Sequence, residues 1–106
     1  MIRQSLAALL LLGSLAAAHA DESASLTIEN HLFSPSTLSV KAGVKIRLSV
    51  HNAGTEPAEF ESSELNREKV VPPGATVTIY VGPLEPGSYP FFDDFHHATT
   101  GRIVAE

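Results

Sequence analysis

The sequence predicts an all-β fold, a Greek-key β-sandwich, and three observations predict it. Apolar residues alternate with polar ones at a period of two, compact turn signals separate the alternating runs, and one stretch alone can support helix. Leu26 and Ile28 open the series, and Leu38 and Val40 repeat it. Ile46, Leu48 and Val50 alternate with Arg47, Ser49 and His51; Val77, Ile79 and Val81 alternate with Thr78 and Tyr80. Such alternation turns one strand face to a core and the other to water. Turns are expected at Ser34-Pro35, Ala42-Gly43, Ala53-Gly54, Pro72-Pro73-Gly74 and Glu85-Pro86-Gly87. Residues 61–69, Glu-Ser-Ser-Glu-Leu-Asn-Arg-Glu-Lys, are the stretch that can make a helical turn or two. Tyr89 and Phe91 share a strand face and Ile103 restarts a strand after Gly101, so Asp93 to Thr100 reads as the loop of a terminal hairpin. Six to eight short strands at this spacing describe one sandwich, with no repeat, linker or second domain.

Composition narrows the function. The chain has 106 residues, 43% of them hydrophobic and 18% charged, which suits one folded domain. Seven basic against twelve acidic residues give a formal charge of −5, which argues against a nucleic-acid surface. There is no cysteine, so disulfides, thiolate catalysis and every metal centre built on a cysteine sulfur are excluded. Residues 1–20 have a basic start, an apolar run from Leu6 to Leu12 and the ending Ala18-His19-Ala20, the pattern of a secretory signal peptide. The run is shorter than the roughly 20 residues a membrane span needs. Cleavage after Ala20 leaves an exported domain, residues 21–106, with a charge of −6 and no membrane span. A domain this small usually needs a staple, here a dense β core, a metal or a partner.

No nucleophile elbow, phosphate loop, dinucleotide fingerprint or HExxH pair is present, so any chemistry is metal chemistry. Asp93, Asp94, His96 and His97 put two carboxylates and two imidazoles within five residues, ligands suited to iron, copper(II), zinc or manganese. An ordinary solvated loop has the same mix, and that reading stays open. In Glu59-Phe60-Glu61, strand alternation places Phe60 on one face and both carboxylates on the other, as ligands or as solvated groups. Arg67 and Lys69 can neutralise Glu64 and Glu68, which read as surface charges. His31 and His51 read as exposed residues rather than ligands.

The frame Phe33-Ser-Pro35, Lys41-Ala-Gly43, Val50-His-Asn52, Pro73-Gly74, Pro86-Gly87-Ser-Tyr89 and Gly101-Arg-Ile103-Val resembles the cupredoxin superfamily across nearly all of residues 25–106. That resemblance implies a cupredoxin-like Greek-key β-sandwich. Its last hairpin, laid on this chain, puts Asp93 at the cysteine position, His96 at the histidine position and Thr99 or Thr100 near the axial position, with Glu59 at about the place of the remaining histidine. The run Glu59-Phe-Glu61-Ser62, Glu64-Leu65 and Glu68-Lys69 is similar to that of small periplasmic cupredoxin-like proteins of bacterial ferrous-iron uptake, with the cupredoxin-like domain of EfeO a relative. The resemblance implies a periplasmic protein that binds ferrous iron, or copper(II) that assists its oxidation. It implies as partners a periplasmic iron-binding protein and an inner-membrane iron permease.

The chemistry runs beside that resemblance. A blue-copper electron carrier needs a thiolate, and an aspartate in its place supplies a hard oxygen. Oxygen-rich ligation stabilises ferric over ferrous iron. The expected metal ligands are Asp93 and His96, closed by Glu59 or Glu61 from the neighbouring strand, with His97 a second-choice ligand facing away from His96. Proton competition at an ordinary imidazole, with a pKa near 6.5, predicts weaker binding below about pH 6. Turnover, if any, is ferrous oxidation with a partner. Two other readings stay open: a copper(II)-buffering protein using the same residues, and a metal-free docking module.

Overall fold

The computed structural model describes residues 22–106, so the expected leader at 1–20 lies outside the described residues. Nine strands and no helix make up this part: β1 (Glu22–Glu29), β2 (Leu32–Ser34), β3 (Thr37–Val40), β4 (Ile46–Asn52), β5 (Ala58–Ser62), β6 (Arg67–Val71), β7 (Thr76–Val81), β8 (Gly87–Asp93) and β9 (His96–Ala105). They form two facing sheets, one in the order β2-β1-β4-β7 and the other β3-β9-β8-β5-β6. The all-β expectation holds. The parallel pairs β1 with β4 and β3 with β9 require the chain to cross between the sheets, as a Greek-key sandwich does.

The alternating residues close the core. Leu26, Ile46, Leu48 and Val50 from the first sheet, and Phe60, Phe91 and Ile103 from the second, are at most 1% exposed. Three rings centre this layer. The Phe91 ring stacks on Phe60 at 5.0 Å and meets the edge of Phe33, from the opposite sheet, at 4.8 Å. Each buried aromatic of this kind contributes about 1.5–3 kcal/mol of transfer free energy. Gly101 lies under the Phe91 ring, where an added Cβ would sit 2.6 Å from two ring carbons and 2.9 Å from the Ser36 carbonyl. The Tyr89 hydroxyl donates to the Glu85 carbonyl at 2.7 Å and ties down the loop before β8.

Two expectations are corrected. Residues 61–69 make no helical turn; they end β5, turn at 63–66 and begin β6, with Glu61 opposite Glu68. The turn is held by Ser62, whose Oγ accepts from Leu65 N–H and donates to the Pro90 carbonyl, while Leu65 is buried. A segment this short gains little as an isolated helix, so strand pairing prevails. Nor are residues 93–100 a loop. The chain reverses over Asp94 and Phe95 alone, and β9 continues through Gly101, paired with both β8 and β3. Extra pairing of this kind brings the count to nine strands rather than six to eight.

Candidate metal centre

The turn between β8 and β9 separates the expected ligands into two groups. Phe60 is buried in β5, so Glu59 and Glu61 lie half-buried on the outer face of the second sheet. Asp94, in the turn, joins them. One carboxylate oxygen from each of Glu59, Glu61 and Asp94 lies within 4.8 Å of the others. His97 leans on this group, its Nε2 2.9 Å from Asp94 Oδ1 and its ring edge-on to Phe92 at 5.4 Å. Glu68, opposite Glu61 across the β5–β6 pair, adds a fourth carboxylate.

The expected neutralising cations do not serve this face. Arg67 turns to the other sheet, where its Nε donates to the Tyr80 carbonyl at 2.8 Å and its Nη1 to the Asn66 carbonyl. Lys69 stands opposite Phe60, and alternation puts it on the reverse side of the strand from the glutamates. Crowding is therefore felt as charge. The Glu59 carboxyl is pushed above its ordinary 4.5 by desolvation against the sheet, then by Glu68, Asp94 and Glu61 and by a hydrogen bond with Asp94. Glu61 is raised by desolvation, then by Asp94 and Glu68, with His97 pulling the other way. A cation would relieve both.

Asp93 and His96 occupy a different place. Asp93 continues the inward face of Tyr89 and Phe91 and is 3% exposed. Its Oδ1 accepts the N–H of Glu59 at 2.9 Å and that of Phe95 at 2.9 Å. His96 lies with Asp93, Asn52 and His31 on a cavity of about 230 Å³ at one end of the sandwich. The hydroxyl of Thr99, with a single proton, donates to the His31 carbonyl at 2.7 Å and so accepts from His96 Nδ1–H at 2.8 Å. That leaves Nε2 as the free lone pair of the neutral ring. His31 stacks on His96 with centroids 3.9 Å apart, placed there by a two-residue turn in which Asn30 and His31 both have positive φ. His51 points elsewhere, its Nδ1 2.9 Å from Thr76 Oγ1.

The expected ligand set contains Asp93, whereas the acidic group on the outer face contains Asp94. The signal was available: if Tyr89 and Phe91 face inward, Asp93 does too, and the next acid falls on the side of Glu59 and Glu61. A thiolate copper centre does not fit either group. No cysteine exists in the chain, the Asp93 oxygen is engaged by two backbone donors, and His96 Nδ1 is engaged by Thr99. The outer group offers three or four carboxylates and one imidazole, a hard set suited to iron, manganese or copper(II).

Comparison with known proteins identifies the family and the fold. A model of the cupredoxin-like domain family matches residues 3–105. An uncharacterized protein of Rickettsia prowazekii (strain Madrid E) is 46% identical over 79 residues, 74% of this chain; the match spans 63% of that relative's length. Among solved structures, the fold is similar to a purple cupredoxin from Nitrosopumilus maritimus, with TM-score 0.61 and 17% identity over 81% of this chain and 100% of that one. Amicyanin from Paracoccus versutus is similar at TM-score 0.62 and 17% identity, over 86% and 88% of the two chains. The metal-binding domain of the Cu(I)-exporting P-type ATPase CopA from Streptococcus pneumoniae, solved with Cu(I), is similar at TM-score 0.70 and 14% identity, over 83% and 97%.

Proposed function

The chain belongs to the cupredoxin-like domain family, and from that premise we propose that it is a periplasmic iron-binding protein of ferrous-iron uptake. Iron is the cargo, held on the outer face of the second sheet by Glu59, Glu61 and Asp94 with His97. One observation carries this reading: three carboxylate oxygens converge within 4.8 Å beside a hydrogen-bonded imidazole, and both glutamate carboxyls are raised, first by desolvation and then by the charges of Asp94 and Glu68. Such a site takes a hard cation and holds Fe(III) more tightly than Fe(II). Bound ferrous iron would then lose one electron more readily to dioxygen or to a copper(II) ion, leaving Fe(III) on the same oxygens. The net negative charge of the exported domain draws cations toward it. The ion would pass to a periplasmic iron-binding protein and an inner-membrane iron permease.

The test is anaerobic competition of the protein with a chromogenic Fe(II) chelator. Wild type is expected to hold one Fe(II), the double variant E59Q/E61Q to bind at least tenfold more weakly, and His97→Ala to lose less. Unchanged affinity in the double variant would remove iron from this face. Stopped-flow mixing with air, with and without copper(II), reads the oxidation arm, and no acceleration over free Fe(II) leaves a binding protein only. Copper(II) binds almost any site of this kind more tightly than Fe(II). A copper-buffering role would show as a copper(II) affinity lost together with E59Q/E61Q and no measurable Fe(II) binding.

A further inference from the structure

We propose that the buried Asp93 carboxylate is a positioning residue that clamps the β8–β9 turn to β5 and so holds Asp94 and Glu59 on one ion. This rests on the iron-binding reading above, and deepens it by moving Asp93 from ligand to support.

The antiparallel ladder between β5 and β8 ends at the pair Phe60 and Asp93, and the β8–β9 ladder is irregular between Phe92 and Asp93. Where the regular ladder stops, a side chain takes over. Asp93 Oδ1 accepts the N–H of Glu59 on β5 and the N–H of Phe95 in the turn, each at 2.9 Å. The backbone closes the link from the other side, with Asp94 N–H donating to the Glu59 carbonyl at 2.9 Å. Both backbone groups of Glu59 are thus bonded to the turn that carries Asp94, and His97 follows three residues later with its Nε2 on Asp94.

The clamp has work to do. Glu59, Glu61 and Asp94 bring their carboxylate oxygens within 4.8 Å of one another, Glu68 stands opposite Glu61, and Asp94 is carried on a turn of only two residues. A carboxylate receiving two N–H groups is a strong, charge-assisted acceptor, and burial at 3% exposure keeps water from competing. Removing it leaves the Glu59 N–H without its partner at a half-buried position, which favours opening. Preorganised ligands bind more tightly because less order is imposed by the ion. Asp93 faces the sandwich interior, away from the converging oxygens of its neighbour, so its contribution runs through the backbone.

Two substitutions separate a clamp from a ligand. Asp93→Asn keeps an Oδ1 acceptor for both amides and removes the charge; Asp93→Ala removes the acceptor. Measured by chelator competition with Fe(II) alone under argon, Asp93→Asn should bind within about threefold of wild type and Asp93→Ala at least tenfold more weakly. In the ion-free protein, exchange of the Glu59 and Phe95 amides should speed at least tenfold in Asp93→Ala and stay protected in Asp93→Asn. Ile103→Val, a core change away from the turn, serves as a destabilised control that should keep wild-type affinity. Equal weakening in Asn and Ala variants would make Asp93 a ligand and overturn the clamp. So would protected Glu59 and Phe95 amides in Asp93→Ala. If Asp93→Ala does not fold, Asp93→Asn decides alone: weakened binding, or amides as fast as in unfolded chain, overturns the proposal. A wild-type protein that binds no Fe(II) sinks the iron reading instead, while amide exchange still reads the clamp.

Discussion

Glu59 and Glu61 carry carboxyls raised above the ordinary 4.5, and the sign of that shift makes a prediction about stability. A carboxyl with a raised folded-state pKa adds stability that is present below the unfolded value and lost as pH rises through the folded value. The ion-free protein should therefore lose stability as pH climbs from about 4.5 toward neutrality at this site. Glutamine cannot ionise. Glu61→Gln should raise the melting temperature of the ion-free protein at pH 7, leave it near wild type at pH 4.5, and abolish most of the stabilisation that added metal gives. A lower melting temperature for Glu61→Gln at pH 7 would mean that the carboxylates are not repelling one another. At this scale, alternation around Phe60 gave the two glutamates from the sequence. Asp94 escaped because the choice between neighbouring acids depends on where the strand ends, and that is fixed by a turn of two residues. The stack of His31 on His96 was equally hidden, since it brings together residues 65 positions apart.

The terminal hairpin is the element that positions the site, and Gly101 is what lets it lie flat. Its missing side chain admits the Phe91 ring, which in turn contacts Phe33 and Phe60. Gly101→Ala would put a methyl 2.6 Å from that ring and should destabilise the domain by about 2 kcal/mol, as overpacked cores do. Urea unfolding measures it; a loss below about 0.5 kcal/mol would show that the ring yields easily. Elements with clean alternation, β1, β4 and β7, were legible because one face is buried and the other wet. β6 was not, since four of its five residues are exposed on an edge strand and show no period. β2 has three residues, too few for any pattern. Residues 93–100 look like a loop in the sequence because their polar side chains hide a strand paired with β8, with Thr99 buried against the His31 carbonyl.

Among the described residues, an acidic group and a pair of cations over an aromatic ring lie on different sheets. Acid gathers on the outer face of the second sheet, while Lys45 and Arg47 lie over the Tyr80 ring on the first, at 5.0 and 5.9 Å from its centre. The absence of cysteine leaves oxygen and imidazole as the ligands that this cupredoxin-like framework could offer a metal. What composition could not reveal is that the acids and imidazoles of the last hairpin serve opposite sides of one sheet. The proposed iron site lies on the outer side, where a hard divalent ion would bind. The most direct measurement is paramagnetic broadening of backbone amide resonances on titration with Mn(II), a hard ion that stands in for Fe(II). Broadening should centre on Glu59, Glu61, Glu68, Asp94 and His97 and disappear in E59Q/E61Q. Broadening centred on His31, Asn52 and His96 at the sandwich end, or none at all, would rule out an ion on the outer face.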